Sequence, residues 1–148
     1  MDGGCGLNIM YAKTLDEMGV DRTNLCPIQA PFHGVMPSRQ AIPLGQIDLP
    51  ITFGDQSNYR TKTLTFDVVG FLRTFHAILG RSCYVKFMAV PNYTYLKLKM
   101  SGSREVITIG TSFQHAYEYE VESCSHTIAV VASKELATLR EEVAEKNA

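Results

Sequence analysis

The sequence predicts a mainly β fold of the closed-barrel kind, with short helices and a helical tail at the C-terminus. Within residues 61–69, positions 63–68 alternate between polar and apolar side chains, which is typical of a half-buried strand. Two further alternating segments, 93–100 and 106–109, flank the turn residues Ser101, Gly102 and Ser103 and predict a hairpin. With 148 residues and 45% hydrophobic content, the chain can bury one core and is short for two domains. Short strands with frequent turns suit a small closed barrel.

The N-terminal part predicts a loop, a strand and a helix. Residues 8–11 leave a glycine-rich loop and enter the first extended segment. Residues 12–18 predict a short helix, because Leu15 and Met18 recur three positions apart and Gly19 ends the pattern. Residues 21–31 are polar and include two prolines, so we expect a loop there.

The middle of the chain predicts consecutive β-hairpins. Residues 32–35 are strand-like and 36–39 have turn chemistry. Residues 40–53 alternate in part and end at the turn Gly54-Asp55, before the strand at 61–69.

The next segments predict a buried strand followed by a helix. Residues 75–79 are apolar apart from His76, so we expect a central buried strand ending at Gly80. Residues 81–87 predict a short helix, whose expected buried side is Tyr84, Phe87 and Met88.

From Thr111 the composition changes. An acidic stretch around 118–122 precedes a charged helix predicted for 133–148, with Ser133 as its N-cap. The predicted organisation is therefore a β domain over 1–110 and a helical connector over 111–148.

Composition excludes several classes of function. The net charge of −1 gives no reason to expect a nucleic-acid or acidic-membrane partner, and no run reaches the roughly 18 apolar residues of a membrane span. The cysteines are irregularly spaced and lack a Cys-x-x-Cys pair, which favours a reducing, intracellular setting without disulfides. No second ligand pair accompanies Cys124-Ser125-His126 at zinc spacing, so we expect no metal and no cofactor. The four cysteines are Cys5, Cys26, Cys83 and Cys124.

Asp2-Gly3-Gly4-Cys5 is the first motif with chemical content. A carboxylate on a glycine-rich turn can be held by backbone N–H groups, because residues without bulky side chains let those groups approach. Taken alone, Asp-Gly also marks ordinary turns. The other acids lack a following glycine, and we expect them to be exposed in a helix, in turns or on the polar faces of strands. They include Asp16, Asp21, Asp48, Asp55 and Asp67.

A second motif, Ile78-Leu79-Gly80-Arg81, follows far downstream, and a flap-like segment lies between the two. With these motifs in this order, the chain resembles the retropepsin-like aspartic protease domain of gypsy-type long-terminal-repeat retrotransposon polyproteins, especially those of plants. The resemblance covers most of the chain. The matching segments are DGGCGLNIMYAKTLDEMGV (2–20), PFHGVMPSRQAIPLGQIDLPITFGD (31–55), LTFDVV (64–69), FHAILGRSCYVKFMAVPNYTYLKLKM (75–100) and EVITIG (105–110).

The resemblance implies an endopeptidase that cuts its own polyprotein. Asp2 is the implied catalytic residue, and because the chain has one such aspartate, the pair must come from two chains in a homodimer. Gly3, Gly4 and Cys5 form the implied active-site loop, and the second motif supports it. The family context further implies a cytoplasmic setting, including virus-like particles, and an adjoining reverse transcriptase beyond 111–148.

The implied flap, residues 32–40, would fold over bound peptide and exclude water. Phe32, His33, Gly34 and Val35 would contact substrate, with Gly34 as the flexible point. An ordinary hairpin loop and a structural role for His33 are the alternatives that the sequence leaves open.

Departures from the family pattern favour a second hypothesis. Gly3 replaces a Thr or Ser whose hydroxyl braces both aspartate loops across the dimer, and Gly6 cannot supply the acidic partner that some members offer to Arg81. Only Met1 precedes Asp2, where the family has an apolar strand, so the resemblance implies a domain truncated at its N-terminus. The alternative is a catalytically inactive β-barrel remnant that serves as a folding or dimerisation module. A cysteine protease based on Cys5 would need a neighbouring histidine.

Overall fold

The computed structural model describes residues 1–28, 43–70 and 75–146, and only the backbone for 123–135. The chain forms two compact units, Met1–Ser112 and Phe113–Ala148. The first unit holds the β-strands, and the second is helical.

The first sheet surrounds the strand that follows the Asp2 loop. Among the described residues it has four strands: β1 (Ile9–Tyr11), β2 (Gly45–Gly54), β3 (Tyr59–Val69) and β4 (Ala77–Ile78), in the order β2-β3-β1-β4. Strand β1 runs parallel to β3, with Met10 opposite Val68, and antiparallel to β4, with Ile9 opposite Ile78. The chain therefore passes from the loop into the interior of the sheet.

The second sheet is an antiparallel meander. Its described strands are β5 (Val90–Asn92), β6 (Lys97–Ser101) and β7 (Val106–Gly110), in sequence order. Leu98 and Met100 point inward from β6 while Lys97 and Lys99 face out, so the predicted alternation is confirmed from Lys97 onward, as is the predicted hairpin partner. Residues 93–96, predicted as part of the same strand, form a turn instead, in which Leu96 has a φ of +51°. Among the described strands both sheets are open, and a closed barrel is not seen in this part of the chain.

One hydrophobic core joins the two sheets and the short helices. Helix α1 (Ala12–Glu17) contributes Leu15, and helix α2 (Arg81–Phe87) contributes Cys83 and Phe87. The ring of Phe87 meets that of Phe53 edge to face, with centroids 4.9 Å apart. Burial of these side chains supplies the main driving force for folding. The sheets contribute Met10, Ile47, Leu64, Phe66, Val68, Leu98, Met100 and Ile107.

Several local predictions are confirmed, with changes at the ends of the elements. Helix α1 lies where the sequence predicts it, and Gly19, with a φ of +72°, follows its end in the left-handed region that glycine adopts easily. Met18 is exposed, however, because the helix ends before its side chain can turn onto the core. Helix α2 is also confirmed, but Met88 leaves it in a left-handed conformation and is exposed.

Two predictions about burial were wrong. Residues 75–79 do not form a central buried strand. In this segment β4 has two half-buried residues and lies at the edge of the described part of the sheet. The strand is short because the chain turns at Gly80 into α2. Asp67 is buried rather than exposed, since the Gln46 side chain donates to its carboxylate at 2.7 Å from the neighbouring strand.

The C-terminal unit contains helix α3, Phe113–Lys146, which begins well before the predicted start at Ser133. Glu118, Glu120 and Glu122 recur every second residue, and this spacing obscured the helical period in the sequence. In the structure Gln114 donates to Glu118 at 3.0 Å, an i, i+4 hydrogen bond that is typical of a helix. Within the described ranges, no helix combines the length and apolarity needed to cross a bilayer.

Asn58 connects the turn of the β2–β3 hairpin to the turn of the β6–β7 hairpin. Its Oδ1 accepts from the Arg104 and Glu105 amides at 3.1 and 3.3 Å, and its Nδ2 donates to the Glu105 carbonyl at 3.2 Å. The turn itself is ordered by Asp55, whose pKa is held below its ordinary value by hydrogen bonds from Ser57 and the Asn58 amide. Asn58 is therefore a buried polar link between the two sheets at this end.

Replacing Asn58 with alanine should lower the free energy of unfolding by about 1–3 kcal/mol, because the partly buried hydrogen bonds from its side chain to the second hairpin are lost. Gln56→Ala, in the same turn but exposed, is the matched control and should stay within about 0.5 kcal/mol of the parent. Urea denaturation followed by circular dichroism measures both. Equal midpoints for the two variants would contradict the role assigned to Asn58.

Candidate active site

The loop that carries Asp2 is fixed by backbone hydrogen bonds to the second sequence motif. The Asp2 amide donates to the Leu79 carbonyl at 2.8 Å. Within the loop, the Gly4 amide donates to Asp2 Oδ1 at 2.9 Å and the Cys5 amide to the Asp2 carbonyl at 3.3 Å. Asp2 itself is exposed. Its carboxylate is therefore accessible and held by a short glycine-rich turn.

Gly80 and Arg81 contact the other end of this loop. The Arg81 amide donates to the Cys5 carbonyl at 2.8 Å. The Cα of Gly80 lies against the Leu7 and Cys5 carbonyl oxygens, so that a side chain at this position would overlap them. The Arg81 guanidinium lies beside Gly6, at a distance where a methyl group on Gly6 would make an ordinary contact with it. The structure thus brings Asp2, Gly3, Gly4 and Cys5 together with Ile78, Leu79, Gly80 and Arg81.

Asn8 is the buried residue that joins the loop, the second motif and the sheet. Its Oδ1 accepts from the Gly80 amide at 2.9 Å, and its Nδ2 donates to the Thr65 carbonyl at 3.2 Å. Its own carbonyl accepts from the Asp67 amide at 2.9 Å. Sequence reasoning missed this residue. The sequence does place an amide side chain directly before the apolar residues that begin the strand. A polar group buried at such a position needs hydrogen-bond partners, and this could have indicated the role of Asn8.

Two tyrosines adjoin Gly3, and sequence reasoning missed these as well. The Tyr93 hydroxyl occupies the space that a side chain at position 3 would need, and the Tyr84 ring lies next to the same point. Burial raises the pKa of Tyr84, and the proximity of Tyr93 and the nearby Asp2 charge act in the same direction. The absence of a side chain at Gly3 is what lets the tyrosines reach the loop.

Cys5 packs as a small side chain in the loop. It is half-buried against the cluster of Ile9, Tyr11 and Val69, and its thiol donates to the Leu7 carbonyl at 3.3 Å. The thiol is thus engaged by a backbone oxygen rather than by the histidine that a cysteine protease needs. Cys83, by contrast, lies in the main core, where burial raises its pKa to about 11.

The remaining predicted site residues fall outside this description. Phe32, His33, Gly34 and Val35, and the whole flap segment 32–40, lie outside the described residues, so the flap stays a prediction. Among the described residues, no group of three or more His, Cys, Asp or Glu side chains is arranged to hold a metal ion.

Comparison with known proteins gives a similarity in structure. No protein-family model and no curated protein is similar to the chain by sequence. The chain is similar to the crystal structure of the retroviral protease-like domain of Ddi1 from Leishmania major, with a TM-score of 0.45 and 15% identity. The similarity covers 73% of this chain and 78% of that chain.

Replacing Gly80 with alanine should destabilise the first unit by about 1–3 kcal/mol or more, because the added methyl group meets two fixed carbonyl oxygens. Gly6→Ala is the matched control in the same loop: its methyl group would lie 3.6 Å from the Arg81 guanidinium, an ordinary contact. Thermal unfolding measures both variants. A Gly80→Ala protein as stable as Gly6→Ala would show that the two motifs are not packed together in this way.

Asn8→Ala should lower the free energy of unfolding by about 1–3 kcal/mol, because the buried Gly80 amide and Thr65 carbonyl lose their partner. The control is Asn24→Ala, an exposed residue of the turn at Arg22–Asn24. Hydrogen exchange should show faster exchange of the Gly80 amide in Asn8→Ala alone. Unchanged exchange at Gly80 would be inconsistent with the bridge.

Proposed function

We propose that this chain is a retropepsin-like aspartic endopeptidase domain in which Asp2 is the catalytic carboxylate. The supporting observation is the junction of the two motifs: the Asp2 amide bonds Leu79, and the Arg81 amide bonds Cys5. These two hydrogen bonds connect the two motifs of the family pattern, which are far apart in the sequence. The exposed carboxylate on this junction is accessible to a peptide and a water molecule.

The proposed chemistry needs two carboxyl groups. When two carboxyl groups are close together, one keeps a proton that the other lacks, because two adjacent negative charges repel. The ionised group removes a proton from water, whose oxygen attacks the peptide carbonyl, while the protonated group donates to the carbonyl oxygen. Proton transfer to the nitrogen then releases the amine, and the peptide bond breaks.

The second carboxylate is proposed to come from Asp2 of another copy of the chain. The sequence has one Asp-Gly-Gly turn, so a symmetric homodimer is the simplest source of a pair. In that dimer, each copy would contribute an identical loop to one site. A monomer of this chain would bind no water between paired aspartates.

The substrate, the flap, the closed barrel, the connector and the cellular setting are proposed from the family resemblance alone. The substrate would be the polyprotein of a plant gypsy-type element, and residues 32–40 would close over it as a flap. The barrel would be closed by segments beyond the described strands, residues 111–148 would lead toward reverse transcriptase, and the setting would be intracellular.

A second candidate is a non-catalytic folding or dimerisation module, and Gly3 favours it. The residue lacks the hydroxyl that braces the paired loops in the family, and a lost hydrogen bond of that kind costs on the order of 1 kcal/mol. Dimer formation without Asp2-dependent cleavage would support this candidate.

Asp2→Asn should reduce peptide cleavage on the order of a thousandfold or more, because an amide cannot exchange the proton. The purified chain is incubated with a diverse peptide mixture at mildly acidic pH, with and without pepstatin, and mass spectrometry counts the cleaved bonds. Asp48→Asn, an exposed acid that accepts from Thr65, is the control and should keep the parent rate. Native mass spectrometry of the same samples gives the oligomeric state.

Cleavage that persists in Asp2→Asn would rule out the proposed active site. A dimer with no activity in either protein would favour the second candidate.

A further inference from the structure

The space above Gly3 is filled from elsewhere in the chain. A side chain built on Gly3 would overlap the Tyr93 hydroxyl and would lie 3.5 Å from both Tyr84 Cε2 and Tyr93 Cζ. The family that the chain resembles has a Thr or Ser at this position. Here the volume of that side chain is taken by the end of a phenol ring.

The two tyrosines come from elements that are themselves anchored. Tyr84 is a half-buried residue of helix α2, whose first amide bonds the Cys5 carbonyl of the loop. Tyr93 begins the turn between β5 and β6, where the Tyr95 amide donates to Asn92 Oδ1 at 2.9 Å. The two phenols are neighbours, and the proximity of Tyr93 is one of the causes that raise the pKa of Tyr84.

The two tyrosines also line a cavity that Met1, the residue before Asp2, lines as well. This cavity of about 270 Å³ lies between the loop and the second sheet. Asp2 is thus flanked on one side by Met1, which faces this cavity, and on the other by Gly3, which contacts the Tyr93 hydroxyl.

We propose that Tyr84 and Tyr93 are positioning residues that hold the Asp2 loop from within its own chain, in the place of a side chain at position 3. The inference rests on the proposed function for its effect on catalysis. A side chain at position 3 and the Tyr93 hydroxyl then exclude one another. Restoring the family's Thr at Gly3 is therefore expected to displace Tyr93 and to weaken the site, not to repair it.

The test is a cycle of Gly3→Ala, Tyr93→Phe and the double variant in the full chain. Tyr93→Phe removes only the hydroxyl from a ring that is 62% exposed, so the core packing is retained. For Tyr93→Phe we expect about a tenfold fall in kcat with less than about a twofold change in KM. The reason is that the carboxylate is displaced whereas peptide binding is unchanged. In the double variant the alanine methyl group has room, so Gly3→Ala should add little to Tyr93→Phe.

Tyr95→Phe is the matched control, since Tyr95 is 69% exposed in the same turn. The second readout is the NMR signal of the Gly4 amide, which donates to Asp2 Oδ1 and reports the position of the carboxylate without catalysis. It should shift in Tyr93→Phe and in Gly3→Ala but not in Tyr95→Phe. The expected result in both readouts supports the positioning role.

Equal Gly4 signals in Tyr93→Phe and Tyr95→Phe, or simply additive effects of Gly3→Ala and Tyr93→Phe on the unfolding midpoint, would overturn the inference. Absence of cleavage in the parent protein would instead reject the proposed function. The Gly4 signal and the unfolding cycle would still decide whether the tyrosines hold the loop.

Discussion

The amide side chain of Asn8 connects three parts of the chain that are far apart in sequence. It accepts from Gly80 and donates to Thr65, while its backbone carbonyl accepts from Asp67. A buried amide that met no partners would destabilise the fold, and a buried backbone amide at Gly80 without Asn8 would do the same. Each group therefore requires the other. The position of the Asp2 loop relative to the sheet follows from this mutual requirement.

Close packing of backbone against backbone makes the same junction rigid. Gly80 lies against two carbonyl oxygens of the loop, and the amides of Asp2 and Arg81 complete the contact. Behind it, strand β1 lies between β3 and β4 in a layer whose apolar side chains belong to two buried clusters. The exposed carboxylate is consequently carried by a loop that several hydrogen bonds and a close backbone contact hold in place. Such an arrangement suits a group that must hold its geometry during a reaction.

The tyrosines at Gly3 suggest how one chain can compensate for a missing side chain. In the resembling family, a hydroxyl at this position braces the loop across the dimer. In this protein the phenol of Tyr93 enters the same region from a turn of the second sheet, with Tyr84 beside it. The group that contacts the loop at this position is therefore supplied within the chain. Glycine at position 3 is then a requirement of the packing as well as a departure from the pattern.

The sequence by itself determined the elements whose side chains follow a regular period. The alternation at Leu64, Phe66 and Val68 predicted β3, and the hairpin of β6 and β7 followed from the same local rule. The two motifs around Asp2 and Gly80 were also visible in the sequence, because each is a short run of consecutive residues. These features depend on neighbours within a few residues.

Only the tertiary structure decided which distant residues meet. The burial of Asp67 depends on Gln46 in another strand, and the bridging role of Asn8 depends on partners at Thr65 and Gly80. The contact of Tyr93 with Gly3 joins a turn of one sheet to the loop of the other. A hydrogen bond or a steric contact across such separations leaves no period in the sequence. It arises from the way the two sheets pack, and local residue patterns carry no information about that packing.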